Sequence, residues 1–292
     1  MGELRFLAMS DLEGRHDLIK KLLDADLSKY DLLLYKGDTP DPQVYKKIRR
    51  SMTLGGSEWE KRTSTGIYDE YEESQKAFRK SVEDSTTINN LFGEIKKKIP
   101  IYGVLGNSDT VPTMIAPKIG MEAVDFSKHI IIVHNKIEQF KGFTFVGYNG
   151  RARYLDEIIV EAPQLSFIEE EALEDLHKLF KQVDPAKTIF VTHAPPHGIL
   201  DKVAPDWVSY GVGTYGEKAK DGHIGADAFR TIAFEYQPLL HTFGHIHETS
   251  GVEKHGKTTF INGGALGETE EIEEVNIKDG EVSCRWIKVK EL

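Results

Sequence analysis

The chain has almost none of the features that mark a secreted or membrane-embedded protein. It contains one cysteine, Cys284, so no disulfide can form within it, and we expect a reducing, cytoplasmic location. No apolar run approaches the roughly 20 residues that a membrane-spanning helix needs. The first residues lack the basic start and the apolar core of a signal peptide. No internal repeat or low-complexity tract is visible, so a solenoid or a disordered chain is not expected.

Positive charge is also scarce. The 37 Lys and Arg residues are outnumbered by 47 Asp and Glu, which gives a formal net charge of −10. This charge disfavours nonspecific binding to nucleic acid or to an anionic membrane, because both attract a basic surface. It does not exclude a small anionic ligand, since bound divalent cations can reverse the local potential inside a cleft. The remaining composition, with 39% hydrophobic and 29% charged residues over 292 positions, is that of a globular protein with a substantial core.

Short apolar runs alternate with amphipathic segments along the chain. Each run has the length of a buried strand and has glycine or polar residues close by. The runs are residues 4–9, 32–35, 101–105, 130–133, 143–146, 188–192 and 239–243. Hydrophobic residues at helical spacing predict helices near 18–23, 168–180 and 224–232, the second opened by a capping box of Ser166 and Glu169. This alternation favours an α/β protein, and we expect two mixed sheets packed face to face with helices outside.

Two further segments bear on the organisation of the chain. Asp279-Gly280 lies between alternating segments and predicts a hairpin. The segment from about 42 to 98 separates two predicted strands by far more than an ordinary connection. Two helical stripes fall in it, formed by Tyr68, Tyr71, Phe78 and Val82 and by Ile88, Leu91, Phe92 and Ile95. We therefore expect a single domain with a mainly helical insertion, which either packs on the core, covers the site or forms a surface for oligomerisation.

Five of the predicted strands are each followed by side chains that bind metal ions well. In α/β sheets, crevices for ligands form at the carboxyl ends of strands. A lone His or Asp at such a position is commonly structural, but five placements in one chain are hard to attribute to chance. The side chains are those of Asp11, Glu13, Asp38, Asn107, His193, His245 and His247. Glycines beside Asp38, Asn107 and His245 allow sharp turns and a close approach to a ligand.

This ordered set resembles the motif series of the calcineurin-like metallophosphoesterases. The motifs are Asp11-x-Glu13, Gly37-Asp38, Gly106-Asn107-Ser108-Asp109, His193 and Gly244-His245-Ile246-His247, and together they span most of the chain. The resemblance implies a four-layer α/β/β/α sandwich that hydrolyses phosphoester bonds with two divalent metal ions. It also implies that Asp38 bridges both ions. Asp11, Glu13 and His247 would then complete the first metal site, and Asn107, His193 and His245 the second.

The chemistry of two-metal hydrolysis explains these residue types. A bridging carboxylate holds two cations about 3.5–4 Å apart, where they share the attacking water and the phosphoryl oxygens. The resemblance makes Asp38, Asn107 and His193 the catalytic residues. Mixed imidazole and oxygen ligands suit manganese, iron, zinc or nickel. Glu13 adds a hard carboxylate, which favours manganese or magnesium, and we expect manganese.

The sequence departs from the family pattern at two positions. Glu13 stands where the family has a histidine, so either its carboxylate is a ligand or the first site is weak; His16 is a less favoured substitute. Ser108 stands where a histidine commonly helps to protonate the leaving group, and a serine hydroxyl is a poor acid at neutral pH. Because some relatives that lack this histidine hydrolyse phosphodiesters, we expect a phosphodiesterase with slow turnover or a preference for good leaving groups. Asp109 and Ser108 are predicted to orient the metal ligands rather than to bind metal.

The substrate-binding residues and the substrate are less constrained. Arg151 is a candidate phosphate clamp, and His197 and His223 are candidate phosphate contacts or proton donors. The leading prediction is hydrolysis of a small phosphorylated substrate, with cyclic nucleotides among the candidates. A nuclease is the second reading, although the acidic composition counts against it. The third is a non-catalytic scaffold that has lost one metal site, for which Glu13 and Ser108 are the two favourable observations.

Overall fold

The computed structural model describes residues 2–41, 67–152, 165–205 and 221–292, and within them it has two six-stranded sheets, a small sheet formed by Arg151–Ala152 and Ser166–Phe167, and five α-helices. Of residues 67–75, 115 and 118 it describes the backbone alone. The strands are β1 (Leu4–Met9), β2 (Leu32–Tyr35), β3 (Ile101–Gly103), β4 (Ile131–Ile132), β5 (Ile137–Phe140), β6 (Phe143–Tyr148), β7 (Arg151–Ala152), β8 (Ser166–Phe167), β9 (Thr188–Thr192), β10 (Leu240–Phe243), β11 (Gly251–His255), β12 (Thr258–Asn262), β13 (Glu271–Lys278) and β14 (Glu281–Lys288). The helices are α1 (His16–Asp24), α2 (Ile67–Lys96), α3 (Glu169–Phe180), α4 (Asp227–Tyr236) and α5 (Leu266–Thr269).

Parallel strands form the centre of both sheets. The first sheet has the order β14-β13-β1-β2-β3-β4, and the second has the order β11-β12-β10-β9-β6-β5. In the first sheet β1 to β4 are parallel to one another, and in the second β6, β9, β10 and β12 are parallel. Antiparallel strands complete one edge of the first sheet, with β13 and β14, and both edges of the second, with β11 and β5. Because parallel strands end at the same edge of a sheet, the loops after β1, β2, β3, β9 and β10 gather where a crevice can form.

Alternation along the buried strands divides the interior into layers. In β1, Phe6 and Ala8 belong to the core between the two sheets, whereas Leu7 and Met9 belong to a second core under α1 and α2. On the far side, Phe190 of β9 packs in a third core with α3 and α4. Successive strand residues point to opposite faces, so each central strand contributes to two layers. The resulting four-layer α/β/β/α sandwich confirms the predicted fold class.

The predicted capping box is wrong. Ser166 lies in β8, and Ile168, which directly precedes α3, offers no side-chain cap to the helix. The Glu169 carboxylate instead accepts the backbone N–H groups of Asp227 at 3.0 Å and Ala228 at 2.8 Å, at the start of α4. Tertiary packing therefore directs the Glu169 carboxylate to the start of another helix, and the predicted local cap of α3 does not form. The predicted hairpin at Asp279-Gly280 is present, with both residues at positive φ as its two-residue turn requires.

The helical part of the insertion packs on the core. Both predicted stripes lie on one continuous helix, α2, of 30 residues. Val82, Ile88, Phe92 and Ile95 are buried in the core beneath it, shared with α1 and β2. Residues 42–66 lie outside the described part of the chain, so the predictions of a cover over the site and of a surface for oligomerisation are not tested there. None of the described helices combines the length and the apolarity that crossing a bilayer requires.

Candidate metal centre

Closely interlocked loops bring the predicted ligands together. A Cβ atom on Gly37 would lie 2.2 Å from the backbone nitrogen of Gly106, and one on Gly106 would lie 2.0 Å from Oδ1 of Asp38. A Cβ atom on Gly244 would lie 2.6 Å from Oδ2 of Asp11. No side chain can be added at these three positions without moving a loop. The glycines beside the predicted ligands are therefore required by contact between loops of both sheets.

Several of the predicted ligands have an unusual backbone conformation. Asp11, Glu13, Asp38 and His245 have φ values of 53°, 52°, 62° and 71°, in the left-handed region that residues other than glycine seldom adopt. Each such residue costs of order 1 kcal/mol or more and persists only where the surrounding structure holds it. Strained residues of this kind cluster at functional sites, so their convergence here marks the centre independently of the motif series.

One group of candidate ligands lies between the ends of β2, β3, β9 and β10, where His193 and Asn107 are buried and Asp38 and His245 are partly buried. Nδ1 of His193 donates to the carbonyl oxygen of Lys36 at 2.8 Å, which turns Nε2 toward Oδ1 of Asn107 at 3.0 Å and Oδ2 of Asp38 at 3.4 Å. The imidazole rings of His193 and His245 lie 4.9 Å apart between centroids. Ligand atoms of Asp38, His193 and His245 fall within 4.8 Å of one another, which is close enough to hold a single cation.

The charges of this group favour a cation. Burial opposes the imidazolium of His193, but the adjacent Asp38 carboxylate raises the pKa of His193 to about 9. Burial raises the pKa of the Asp38 carboxyl group, whereas the charge of His193 and its hydrogen bond lower it. The effect of His193 is the stronger, so the pKa of Asp38 lies below its usual value. Burial keeps the pKa of His245 well below the ordinary histidine value, so its ring is a neutral donor. Once a cation displaces the proton on Nε2 of His193, the group offers a carboxylate, an amide oxygen and two imidazoles, and this donor set fits a divalent transition metal.

A second group surrounds His247. Its Nε2 lies 3.2 Å from Oδ1 of Asp11, whose Oδ2 accepts the backbone N–H of His245 at 3.0 Å. Its Nδ1 lies 2.9 Å from Oε1 of Glu268 and 3.8 Å from Oε1 of Glu13. Asp11 and Glu13 therefore approach different nitrogens of the same ring. Ligand atoms of Glu13, His247 and Glu268 lie within 4.8 Å of one another.

Excess negative charge characterises this second group. Burial, followed by the charges of Glu268, Asp11 and Asp41, raises the pKa of Glu13 to about 7 against the opposing effect of His247. Burial of the His247 ring is outweighed by Asp11 and Glu268, which raise its pKa to about 10. A bound cation would neutralise this concentration of carboxylates, and the oxygen-rich donor set suits a hard ion.

Sequence reasoning missed Glu268. It lies on the short helix α5, whose first residues donate backbone N–H groups to the carbonyl oxygens of Ser10 at 3.1 Å and Asp11 at 3.0 Å. This helix follows β12, which runs parallel to β10 and so ends at the same edge of the sheet. The sequence does show an acidic residue, Glu268, shortly after β12. Its place at the site could be recognised only once β12 was known to pair with β10.

Asp109 holds two of the ligand loops together. Its carboxylate is fully buried and accepts backbone N–H groups of Asp38 at 3.0 Å, Thr39 at 2.9 Å and Gly106 at 2.8 Å. Ser108 lies beside it and donates its N–H and its hydroxyl to the two carboxylate oxygens of Asp38, at 2.7 and 2.9 Å. Both residues contact Asp38 or its backbone, which is the geometry expected of residues that orient a metal ligand.

The predicted substrate residues lie around the same loops. Arg151, only 6% exposed, donates from Nη1 to the carbonyl oxygen of Ala152, and its charge helps to lower the pKa of His245. His197 and His223 face each other with ring centroids 5.9 Å apart. Nδ1 of His223 lies 2.5 Å from the buried carboxylate of Asp201, a partner that the sequence did not reveal. His16 begins α1. Arg153, a second arginine that could clamp a phosphate, and the aromatic residues Trp207, Tyr210 and Tyr215 lie outside the described residues.

Comparison with known proteins identifies the family of the chain. The sequence model of the family described as "calcineurin-like phosphoesterase" matches residues 4–249. Human metallophosphoesterase domain-containing protein 1 is 39% identical over 75 residues, which cover 25% of this chain and 19% of that protein. The UPF0046 protein K07C11.7 of Caenorhabditis elegans is 35% identical over 89 residues, covering 30% and 25% respectively. The chain thus spans only about a fifth to a quarter of the length of these two relatives.

Solved structures share the whole fold. One solved chain superposes with a TM-score of 0.64 at 19% identity, covering 98% of this chain and 99% of the other. The protein TT1561 of Thermus thermophilus superposes with a TM-score of 0.53 at 14% identity, again covering 98% and 99%. At such identities the superpositions establish the architecture and leave the substrate open.

Proposed function

The chain belongs to the calcineurin-like phosphoesterase family, and on this premise we propose that it is a phosphoric ester hydrolase that cleaves small phosphodiesters with two divalent cations. The observation that carries the proposal is the convergence of Asp38, His193 and His245, whose ligand atoms lie within 4.8 Å of one another. Lone side chains at strand ends would not converge in this way. The adjoining group around His247 supports a second cation.

The donor sets suggest which residues would hold each cation. Asp38 would serve both positions; Asn107, His193 and His245 would complete the buried one. Asp11 and His247 would complete the other, with Glu13 as its third side chain. A bound pair of divalent cations supplies a nucleophile from water near neutral pH and stabilises the charge that develops on the phosphoryl oxygens. The oxygen-rich set around His247 favours manganese or magnesium over zinc, iron or nickel, and manganese is the proposed ion.

The chain's own residues determine which leaving groups can depart. The Ser108 hydroxyl is occupied by the Asp38 carboxylate at 2.9 Å, so it holds a ligand instead of donating a proton to the substrate. Without a general acid at that position, a reaction loses a contribution of typically about 100-fold or more for poor leaving groups. This supports phosphodiesters with stable leaving groups as substrates. Arg151 is the proposed clamp for a phosphoryl oxygen, and His197 and His223 are the proposed contacts to the rest of the substrate.

The composition of the chain bears on its substrate and its location. The formal net charge of −10 supports a small phosphorylated substrate over a long nucleic acid, which would require a basic groove. Cyclic nucleotides belong to this class. The single cysteine supports a cytoplasmic location.

A metal count combined with a substrate comparison tests this function. Metal-stripped protein is reloaded with manganese, desalted and analysed for bound metal, then assayed on bis(p-nitrophenyl) phosphate and p-nitrophenyl phosphate. We expect two ions per chain and faster hydrolysis of the diester. Asp38→Asn should lose both ions and all activity, whereas Asp26→Asn, an exposed residue that caps a short turn, should behave as the wild type. At most one ion in the wild-type protein, together with no hydrolysis of either ester, would instead favour a non-catalytic scaffold.

A further inference from the structure

A buried ion pair lies immediately beneath the candidate metal centre. Lys36 directly follows β2 and is 0% exposed, and Glu273 in β13 is 2% exposed. Nζ of Lys36 lies 2.6 Å from Oε1 of Glu273 and donates a second hydrogen bond to the carbonyl oxygen of Phe243 at 2.8 Å. A Cβ atom on Gly263 would lie 1.9 Å from Oε1 of Glu273, so the space around the pair is filled.

The pair lies where the alternation of the strand would place an apolar side chain. Leu32 and Leu34 of β2 face the core between the two sheets, and the same alternation points Lys36 into it. The apolar layer between the sheets therefore ends in two charges at the edge that carries the metal ligands. A buried ion pair is commonly no more stabilising than an apolar pair of the same volume, because both charges must be desolvated. Stability alone therefore does not account for its presence.

The contacts of Lys36 reach the ends of several ligand-bearing strands. Its carbonyl oxygen accepts the hydrogen bond from Nδ1 of His193 at 2.8 Å. Its backbone N–H donates to the carbonyl oxygen of Met9 at 2.8 Å, two residues before Asp11. Its ammonium group holds Phe243, two residues before His245, and Gly37-Asp38 follows it in the chain. A single residue is therefore in direct contact with the segments that supply four of the predicted ligands.

We propose that Lys36, anchored by Glu273, is the positioning residue of the metal centre. Its ammonium group ties the end of β10 in the second sheet to the end of β2 in the first. This bond sets the separation between Asp38 and His245, which come from different sheets and must share one cation. An apolar side chain could fill the same volume but could not donate to the Phe243 carbonyl. The inference rests on the proposed two-cation function, since it concerns how the ligands of that site are held.

The test separates positioning from stability. Lys36→Met retains the length of the side chain but leaves the Glu273 carboxylate buried and unpaired, so the melting temperature should fall by on the order of 10 °C. The double variant Lys36→Met/Glu273→Leu removes both charges and should recover most of that loss. Its manganese affinity, measured by calorimetry on metal-stripped protein, should still be about 10–100-fold weaker than that of the wild type. The matched control is Lys254→Met/Glu281→Leu, which removes an exposed pair far from the centre and should change neither property.

Each outcome bears on the proposal. A double variant that recovers its stability and binds manganese as tightly as the wild type would overturn the positioning role. If that variant does not fold, Glu273→Gln replaces it, because Lys36 can still donate both to Phe243 and to the glutamine oxygen. Its affinity should then stay within about threefold of the wild type, and a loss of tenfold or more would show that the Glu273 charge governs binding. Failure of the wild-type protein to bind two ions would refute the proposed function instead, whatever the variants do.

Discussion

Replacing Glu268 tests how strongly a residue outside the motif series affects the metal affinity of the proposed site that contains Asp11 and His247. Oε1 of Glu268 lies 2.9 Å from Nδ1 of His247, while Nε2 of the same ring faces Asp11. With a cation held on the Nε2 side, Nδ1–H would donate to Glu268 and fix the orientation of the ring. Carboxylates in this position typically contribute about 10–100-fold to metal affinity. In the metal-free protein Glu268 also stabilises the protonated His247 ring, and this effect opposes metal binding. The 10–100-fold range for metal affinity is the net result of the two effects.

Two substitutions divide this effect into orientation and charge. Glutamine keeps an oxygen that can accept from Nδ1–H and removes only the charge. The Glu268 side chain is 55% exposed, and a charge screened to this extent contributes about 1 kcal/mol at 4 Å, or about fivefold in affinity. Alanine removes the hydrogen bond as well, so Glu268→Ala should weaken binding by at least about tenfold, and Glu268→Gln by about fivefold.

Manganese titration of metal-stripped protein by calorimetry is the assay. Glu248→Ala is the matched control, because Glu248 is exposed and adjacent in sequence to His247, which pairs with Glu268 instead. Unchanged affinity in Glu268→Ala would refute the reasoning. Equal losses in the glutamine and alanine variants would show that charge acts alone and that the ring needs no such support.

Three other predictions concern the departures from the family pattern and the stability of the first sheet. Ser108→His should raise turnover on poor leaving groups by up to about 100-fold and flatten the dependence of log kcat on leaving-group pKa, and an unchanged slope would contradict the missing-acid argument. Glu13→His should shift metal preference from manganese toward zinc in competition experiments, unless Glu13 takes no part in binding. Burial raises the pKa of Glu274, but hydrogen bonds from Arg285, Arg5 and Tyr30 outweigh this effect and lower the pKa to about 2. The stability that Glu274 contributes is therefore complete above pH 4.5 and lost as the pH falls toward 2. Glu274→Gln should be less stable than the wild type at pH 7 by about 2 kcal/mol, allowing for solvent screening of the exposed Arg285, and denaturation curves of the two proteins should converge near pH 2.

The sequence predicted most of the fold because its central strands are buried on both faces. Such strands are continuous apolar runs, and the runs at 4–9, 32–35 and 188–192 match β1, β2 and β9 residue for residue. Parallel strands end at one edge, so a residue that follows a buried run can be assigned to the crevice before any contact is known. For this reason the candidate ligands were identifiable from sequence position alone.

The side chains that support those ligands were not identifiable in this way. Glu268, Asp201 and Glu273 approach the centre or its loops only because of strand pairing and loop packing between distant segments. Lys36 could be located at a strand end, but its partner lies 237 residues away in β13. The capping-box prediction at Glu169 failed for the same reason, because its carboxylate caps a helix that begins 58 residues further along the chain. Spacing within the sequence carries no record of such contacts.

The two departures from the family pattern have opposite consequences for the proposed reaction. Glu13 adds a carboxylate next to His247, which favours retention of a hard cation. Ser108 commits its hydroxyl to Asp38, so it strengthens a ligand at the position where relatives place a proton donor. Under the proposed function, the centre would therefore bind a hard cation more tightly and would lack a general acid at this position. A leaving group that is already stable as an anion needs no proton from the enzyme, and its charge can be neutralised by the cations alone. We therefore expect substrate choice to follow the acidity of the leaving group more closely than its shape.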